Sequence, residues 1–133
     1  MKKLILLIPV LVAAALLGCN TGATPLYTLS GTIEFNQANP DGKTVYVKLV
    51  DQGDGSGASA LYNTTAVFSG NSTTYSITGI AEGSYTLYSF IDMNDNGGST
   101  ETPDSGDWVI DTDVTISGDQ TLDPPDGGWS QLS

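Results

Sequence analysis

Residues 61–91, LYNTTAVFSGNSTTYSITGIAEGSYTLYSFI, carry the pattern that decides the fold. Apolar residues alternate there with serine and threonine, and this period of two is typical of strands that bury one face. Gly70-Asn71 fits a two-residue hairpin turn, and Glu82-Gly83 supplies a second turn. We therefore predict three consecutive antiparallel strands at 61–68, 73–80 and 84–91, the last with Tyr85 and Leu87 facing the core.

The same alternation extends to both sides of this stretch. Residues 27–35 and 44–49 are separated by the turn residues Pro40-Asp41-Gly42. Two shorter candidate strands follow at 108–110 and 114–116, and no segment of 26–122 has a helical stripe. The fold class predicted is all-β, a single antiparallel seven-stranded β-sandwich over 26–122, prealbumin-like or immunoglobulin-like. Because Pro124-Pro125 cannot join a central strand, we expect residues 123–133 to be an extended C-terminal tail.

The first eighteen residues have the layout of a secretory signal peptide. Lys2-Lys3 precedes an apolar run from Leu4 to Leu17, which is shorter than the ~20 apolar residues of a membrane-spanning helix. Leu16-Leu17-Gly18-Cys19 resembles the lipobox of bacterial lipoproteins. That resemblance implies cleavage before Cys19, acylation of its thiol and a short tether over 19–25. It also implies a lipid-anchored protein of the cell envelope, and Asn20, which is not an aspartate, favours the outer membrane or the cell surface.

Charge and cysteine content restrict the partners and the sources of stability. Removal of residues 1–18 leaves only Lys43 and Lys48 against 15 acidic residues, and the chain has no histidine. Nucleic acid is excluded as a partner because its phosphates require clustered basic residues. With the single cysteine assigned to lipid, no disulfide is available, so stability must come from a core, from assembly or from a bound ion.

Part of the sandwich also resembles a known family. Tyr75-Ser-Ile-Thr-Gly-Ile80, Glu82-Gly83-Ser84-Tyr85-Thr-Leu87 and then Asp92 resemble the central hairpin of transthyretin-like or carboxypeptidase-regulatory-like domains. Leu29-Ser-Gly-Thr-Ile33 and Val45-Tyr-Val-Lys-Leu49 stand in the matching order. The resemblance implies a seven-stranded prealbumin-like sandwich that serves as an accessory or binding module. It does not indicate a ligand, because a fold does not fix a function.

The segment with the most specific chemistry is Asp92-Met93-Asn94-Asp95-Asn96-Gly97. It fits the D-x-[DN]-x-[DN]-G pattern of calcium loops, in which oxygens at alternate positions surround the ion and glycine lets the backbone turn. Pro103 stands at the twelfth position, where EF-hands have a glutamate, so another acid must complete the site. The predicted Ca²⁺ ligands are Asp92, Asn94, Asn96, the Gly98 carbonyl, Glu101, Asp104 and Asp107.

A bare acidic turn is the alternative interpretation of this segment. Aspartate, asparagine and glycine are also the ordinary residues of solvated turns. However, the acidic residues between 92 and 107 have no lysine or arginine among them in the sequence. Their mutual repulsion disfavours an ordered loop without a cation, which favours the calcium hypothesis.

The functional expectation is a non-catalytic binding or structural module that is stabilised by calcium. We expect no enzyme activity, because the chain offers neither histidine nor a free thiol to activate a nucleophile. A glycan-binding module is one alternative, since five aromatic residues are candidates for outward positions where sugars stack. An accessory subunit of a larger envelope complex is another, with an unknown envelope protein as its partner. The five aromatic residues are Tyr46, Tyr62, Tyr88, Trp108 and Trp129.

Overall fold

A computed structural model describes residues 22–54, 58–97 and 101–133. The predicted signal peptide, Cys19 and residues 20 and 21 of the tether lie outside the described residues. Within the described ranges, no helix is long and apolar enough to cross a membrane.

The regular secondary structure of the described chain is almost entirely β-strand, as predicted. Six strands contain six to ten residues, and two short strands near the C-terminus contain two residues each. A 3-10 turn forms at Asp126–Gly128. The strands are β1 Leu26–Glu34, β2 Thr44–Asp51, β3 Tyr62–Val67, β4 Ser72–Ala81, β5 Gly83–Asp92, β6 Trp108–Ile116, β7 Gln120–Thr121 and β8 Ser130–Gln131.

These strands form two sheets that enclose one core. The smaller sheet has the order β4-β1-β7 and the larger has the order β3-β2-β5-β6-β8. Neighbouring strands are antiparallel except β1 and β7, which run parallel over two residue pairs. The predicted hairpin turn at Gly70-Asn71 is confirmed, since Ser69 and Ser72 pair across it and the Ser69 amide donates to the Ser72 carbonyl at 3.1 Å.

The core contains the inward residues that the period of two predicts. Tyr85 and Leu87 of β5 both belong to it, which confirms their predicted orientation. Burial of such apolar side chains is the main favourable term in folding. The other core residues that the alternation predicts include Leu29, Ile33 and Phe35 from the predicted strand 27–35, and Val45, Val47 and Leu49 from the second. Ile77 and Ile80 of β4 also lie in the core, on either side of a shift in the β1–β4 register.

β5 departs from simple alternation because both of its faces are covered. Every residue from Tyr85 to Asp92 is buried. Tyr88 and Phe90 lie on the face opposite the main core and form a second apolar cluster with Tyr46 of β2. β5 is therefore the central strand of the larger sheet, and its outer face needs a cover.

The strand count differs from the predicted seven for two reasons. Residues 108–110 and 114–116 were predicted as separate strands, but β6 runs without a break through Asp111-Thr112-Asp113. Asp111 and Asp113 are exposed, so the acidic residues occupy the solvent-facing positions of one continuous strand. The second reason is that β7 and β8 form in a region where no strand was predicted.

The C-terminal residues 123–133 are not an extended tail. Trp129 is only 6% exposed and packs edge-on against Phe35, with ring centroids 5.7 Å apart. Ser130 and Gln131 pair with the start of β6 as β8. The two prolines do not prevent this packing, because the chain makes a 3-10 turn after them before it joins the edge of the sheet.

Three aspartates from this part of the chain close the open edge of β1. The carboxylates of Asp119, Asp123 and Asp126 accept backbone N–H groups of that edge at 2.7 to 3.0 Å. A carboxylate that accepts a backbone amide makes a charge-assisted hydrogen bond, and a satisfied edge does not invite further strands. The donors are the amides of Thr28, Thr32 and Asn36, respectively.

Gly31 allows the close approach between β1 and the C-terminal segment, because it has no side chain. A Cβ atom at this position would lie 2.0 Å from the Leu122 carbonyl oxygen, which also accepts the Tyr75 hydroxyl at 2.7 Å. Burial raises the pKa of the Tyr75 hydroxyl, as does the nearby negative charge of Asp123. The Leu122 backbone and the Tyr75 ring thus leave no room for a side chain at residue 31.

We expect Gly31→Ala to lower the free energy of unfolding by about 1–3 kcal/mol, because the added methyl group must displace the backbone at Leu122. Urea unfolding followed by tryptophan fluorescence measures this loss. Gly118→Ala is the matched control, since a Cβ atom there meets nothing within 4 Å. An equal loss in both variants would contradict the close-approach explanation.

Candidate functional site

The predicted calcium segment lies in the long connection between β5 and β6. Thr44 pairs with Asp92 and Ile91 pairs with Trp108, so this connection emerges where β2 begins and β5 ends. We call residues 93–107 the acidic loop. Its residues 98–100, and with them the predicted ligand Gly98, lie outside the described residues.

Two buried aspartates mark the ends of the acidic loop and hold its backbone. Asp92 is 4% exposed, and its two carboxylate oxygens accept the amides of Asn96 at 3.1 Å and Gly97 at 2.8 Å. Asp107 is fully buried and accepts the amides of Met93 at 2.9 Å and Asp104 at 3.0 Å. Because a buried charge is costly unless it is hydrogen-bonded, these four donors explain how both carboxylates are tolerated.

Gly97 is required where the acidic loop turns over Asp92. A Cβ atom at residue 97 would lie 2.9 Å from the Asp92 carboxylate and 3.6 Å from the Phe90 ring. The glycine of the sequence motif therefore allows the backbone to approach a carboxylate and an aromatic ring at the same time.

Three of the predicted ligands meet on the surface of the acidic loop. The Asn94 side-chain amide donates to one oxygen of Asp104 at 2.8 Å, and the Asn96 side-chain amide donates to the other at 2.6 Å. Asn94 and Asn96 are ten and eight positions from Asp104 in sequence, respectively. The fold thus brings the third and fifth positions of the motif to one of the acids that were expected to complete it.

Two lysines from β2 and the turn before it neutralise part of the loop's charge. The Lys43 ammonium lies 2.7 Å from the Asp95 carboxylate. Lys48 donates to the Glu101 backbone carbonyl, and its ammonium lies 4.0 Å from the Glu101 carboxylate. The sequence segment itself has no basic residue, but the pairing of β2 with β5 supplies two.

The acidic loop lies beside the second apolar cluster on the outer face of the larger sheet. Tyr46 and Phe90 stack with ring centroids 4.6 Å apart and planes 9° apart, and the Lys48 ammonium lies 5.6 Å from the Phe90 centroid. Burial raises the pKa of Tyr46, and the negative charges of Asp92 and Glu101 raise it further. The contacts of Gly97 and Lys48 with Phe90 show that the loop is packed onto the sheet.

The described residues supply part of the ligand set that calcium requires. They contain no group of three or more histidines, cysteines or acids that is able to hold a metal ion. Asp92 and Asp107 face backbone amides, and Glu101 is turned toward Lys48. Asn94, Asn96 and Asp104 converge, and a half turn of each amide would present its oxygen in place of its nitrogen. Three such side chains supply fewer than the 6 to 8 oxygens that calcium prefers.

The aromatic residues considered for glycan binding do not form an exposed platform. Tyr46, Tyr88 and Trp129 are buried, each less than a tenth exposed. Trp108 and Tyr62 are partly buried and pack against the main core. The expectation that these five side chains include outward-facing stacking surfaces is therefore corrected, because loops and sheet contacts cover their rings.

Two features of the site were not predicted from the sequence. The first is the contribution of Lys43 and Lys48, which only strand pairing brings to the loop. The second is the role of Asp92 and Asp107 as acceptors of backbone amides rather than as freely available oxygens. Their position at the two ends of a loop, each next to a strand terminus, is the sequence signal that would have indicated it.

We expect Asp107→Asn to lower the free energy of unfolding by about 1–3 kcal/mol, because an amide group would then face a backbone N–H donor in a buried place. Chemical denaturation measures the change. Asp95→Asn is the control: its carboxylate is exposed and pairs with Lys43 on the surface, so we expect a loss of at most ~1 kcal/mol. A larger loss for Asp95→Asn than for Asp107→Asn would contradict the assigned role of the buried carboxylate.

No family model, no curated protein and no solved structure matches this chain.

Proposed function

We propose that this chain is a lipid-anchored, non-catalytic β-sandwich module of a bacterial cell envelope. The support for the anchor is the run from Lys2-Lys3 to Gly18-Cys19, which resembles a lipoprotein signal. Acylation at Cys19 would place two or three acyl chains a few residues before β1, which begins at Leu26. More than one acyl chain gives lasting membrane attachment.

The single observation that carries the functional proposal is the opposite placement of the tether and the acidic loop. Leu26 pairs with Ala81, and Gly83 pairs with Ile116, so the start of β1 lies at one end of the sheets. The acidic loop joins the other end, where β5 finishes at Asp92. Strands of nine or ten residues separate the two ends by roughly 30 Å, at about 3.3 Å per residue.

An anchored protein of this shape would direct its acidic loop away from the membrane. The tether would leave the opposite end of the sandwich next to the lipid surface, on the outer membrane or at the cell surface. We infer that the role of the module is to present this distal end to another envelope component. The partner is an envelope protein or a glycan, and the strongly acidic surface disfavours nucleic acid.

Two finer assignments belong to the same proposal. The first is a transthyretin-like or carboxypeptidase-regulatory-like domain. It is supported by the order of the motifs at 29–33, 45–49, 75–80 and 82–87 and by the two-sheet, mostly antiparallel architecture. The second is the accessory role that this resemblance implies. A subunit of a larger envelope complex would use the module in the same way, as a displayed binding surface.

We expect Cys19→Ser to move the protein from the membrane fraction to the soluble fraction and to abolish incorporation of labelled palmitate. The reason is that serine has no thiol to acylate. Thr21→Ser, two residues further along the tether, should leave both the membrane association and the labelling unchanged. Retention of the Cys19→Ser protein in membranes with its label would rule out the anchor.

Calcium at the acidic loop completes the proposal. Its support is the convergence of Asn94 and Asn96 on Asp104, together with the motif that contains both asparagines. A bound ion would stabilise the folded loop, because only the folded chain gathers these oxygens. The ion would thereby add a structural restraint to a loop that the buried carboxylates of Asp92 and Asp107 already hold by hydrogen bonds.

We expect millimolar calcium to raise the thermal midpoint of the detergent-solubilised protein by several degrees relative to a chelator. Calcium at ~100 times its dissociation constant adds about 2.7 kcal/mol, and each kcal/mol shifts the midpoint of a small domain by roughly 4–8 °C. Scanning calorimetry with calcium, magnesium and chelator measures the shift. Asp104→Asn should reduce it, whereas Asp111→Asn on β6, outside the loop, should not. An unchanged midpoint in calcium would identify the loop as an acidic turn that needs no ion.

A further inference from the structure

β3 is the outermost strand of the larger sheet, and one of its edges has no neighbouring strand among the described residues. The Phe68 amide donates to the Lys43 carbonyl at the end of the β2–β3 pair. Because successive backbone groups point to opposite sides, residues 62, 64 and 66 also face β2, and residues 63, 65 and 67 face the open edge. The hydroxyl of Thr73 caps only the carbonyl of residue 67, at 2.9 Å.

This edge belongs to an uncharged side of an acidic protein. Residues 58–81 include β3, the hairpin turn and β4, and they contain no charged side chain. β4 is the outer strand of the smaller sheet, so the two sheets end together on this side. Charged edge residues are a common protection against strand pairing, and β3 has none.

The opposite side of the two sheets is protected by carboxylates. The edge of β6 carries exposed Asp111 and Asp113. The edge of β1 is closed by β7 and by the three aspartates that accept its amides. Among the long edges of the described strands, those of β3 and β4 are therefore the ones whose own residues carry no charge.

The sequence of β3 is self-complementary when it is paired antiparallel with itself around Thr64. In that register Asn63 lies opposite Thr65 of the second copy, and both have backbone groups that face the open edge. Val67, which is 59% exposed and is one of the exposed large apolar residues of the described chain, lies at the end of this pairing, diagonally across from Asn63 of the second copy. Leu61 precedes β3 and its amide donates to the Leu49 carbonyl at 2.9 Å, so the regular pairing ends at Tyr62.

We propose that β3 is a dimerisation edge, which pairs with β3 of a second copy about a two-fold axis at Thr64. The pairing joins the two five-stranded sheets into one continuous sheet. Such an interface is isologous, since each copy contributes the same strand. The charges favour a second copy as the occupant. Two copies repel each other where their acidic surfaces come within the screening length of about 8 Å, but they do not repel each other along β3. The inference goes beyond the proposed function and does not require the lipid anchor.

Disulfide trapping in the full chain tests this register. At the two-fold axis, residue 64 forms a non-hydrogen-bonded antiparallel pair with its counterpart, with Cα atoms about 4.5 Å apart, which a disulfide can bridge. Thr64→Cys in isolated membranes, mildly oxidised and run without reductant, should give a band of twice the monomer mass that reductant abolishes. Thr112→Cys is the matched control, a partly buried threonine on β6 at the other edge of the same sheet.

Three results would overturn the proposal: no dimer with Thr64→Cys, equal cross-linking of both variants, or a conjugate whose mass is not twice that of the chain. The last result would assign the edge to a different protein.

A second variant tests the interface without relying on the cysteine. Thr65→Asp places two carboxylates near the axis, so sedimentation of the detergent-solubilised protein should show at least a tenfold loss of dimer. Thr115→Asp on β6 should leave the dimer intact, and circular dichroism checks that both variants are folded. A dimer that survives Thr65→Asp in the folded protein would overturn the proposal.

Discussion

The burial of β5 on both faces is the constraint on which the rest of the structure depends. A central strand with Tyr85 and Leu87 on one side and Tyr88 and Phe90 on the other needs a cover for each. The smaller sheet provides the first cover, and the packing of the acidic loop near Phe90 contributes to the second. The loop can lie against the sheet because Asp92 and Asp107 satisfy its backbone amides from a buried position.

Aspartate carboxylates accept many of the hydrogen bonds that hold the loops and strand edges of this protein. With few basic residues available, many carboxylates accept backbone N–H groups instead of forming ion pairs. The two at the ends of the acidic loop hold that loop, and the three near the C-terminus close the edge of β1. A strongly negative composition is thus compatible with an ordered fold, since a carboxylate bound to amides has exchanged its hydration for fixed donors. These aspartates are Asp92, Asp107, Asp119, Asp123 and Asp126.

The same chemistry explains why a motif match does not settle the loop's function. Asp92 occupies the first position of the calcium pattern, and its oxygens face the amides of Asn96 and Gly97. Each oxygen retains a second lone pair, so amide binding and ion binding are compatible at this carboxylate. The charge balance of the loop also depends on residues outside the motif, because Lys43 and Lys48 reach Asp95 and Glu101 across the strand pairing.

The alternation of residues 61–91 was sufficient to predict the strands, the hairpin turn and the inward side chains of this region, because strand periodicity is a local property. Predictions from local patterns were wrong where a segment distant in the sequence supplies the packing contact or the strand partner. Two separate strands were predicted at 108–110 and 114–116, but β6 is continuous because Asp111 and Asp113 between them are exposed on the strand. Pro124-Pro125 suggested a free tail, but Trp129 finds a place beside Phe35.

The sequence determined the all-β character, most strand positions and the need for a glycine where the acidic loop turns. Residues 1–18 and Cys19, which resemble a lipoprotein signal, are interpreted from sequence alone. Only the tertiary structure decided which carboxylates are buried, which lysines meet them and which edge remains uncharged and open. The physical reason is that hydrogen-bond partners, burial and charge pairing depend on contacts between strands that are far apart in the chain, whereas periodicity and turn chemistry do not.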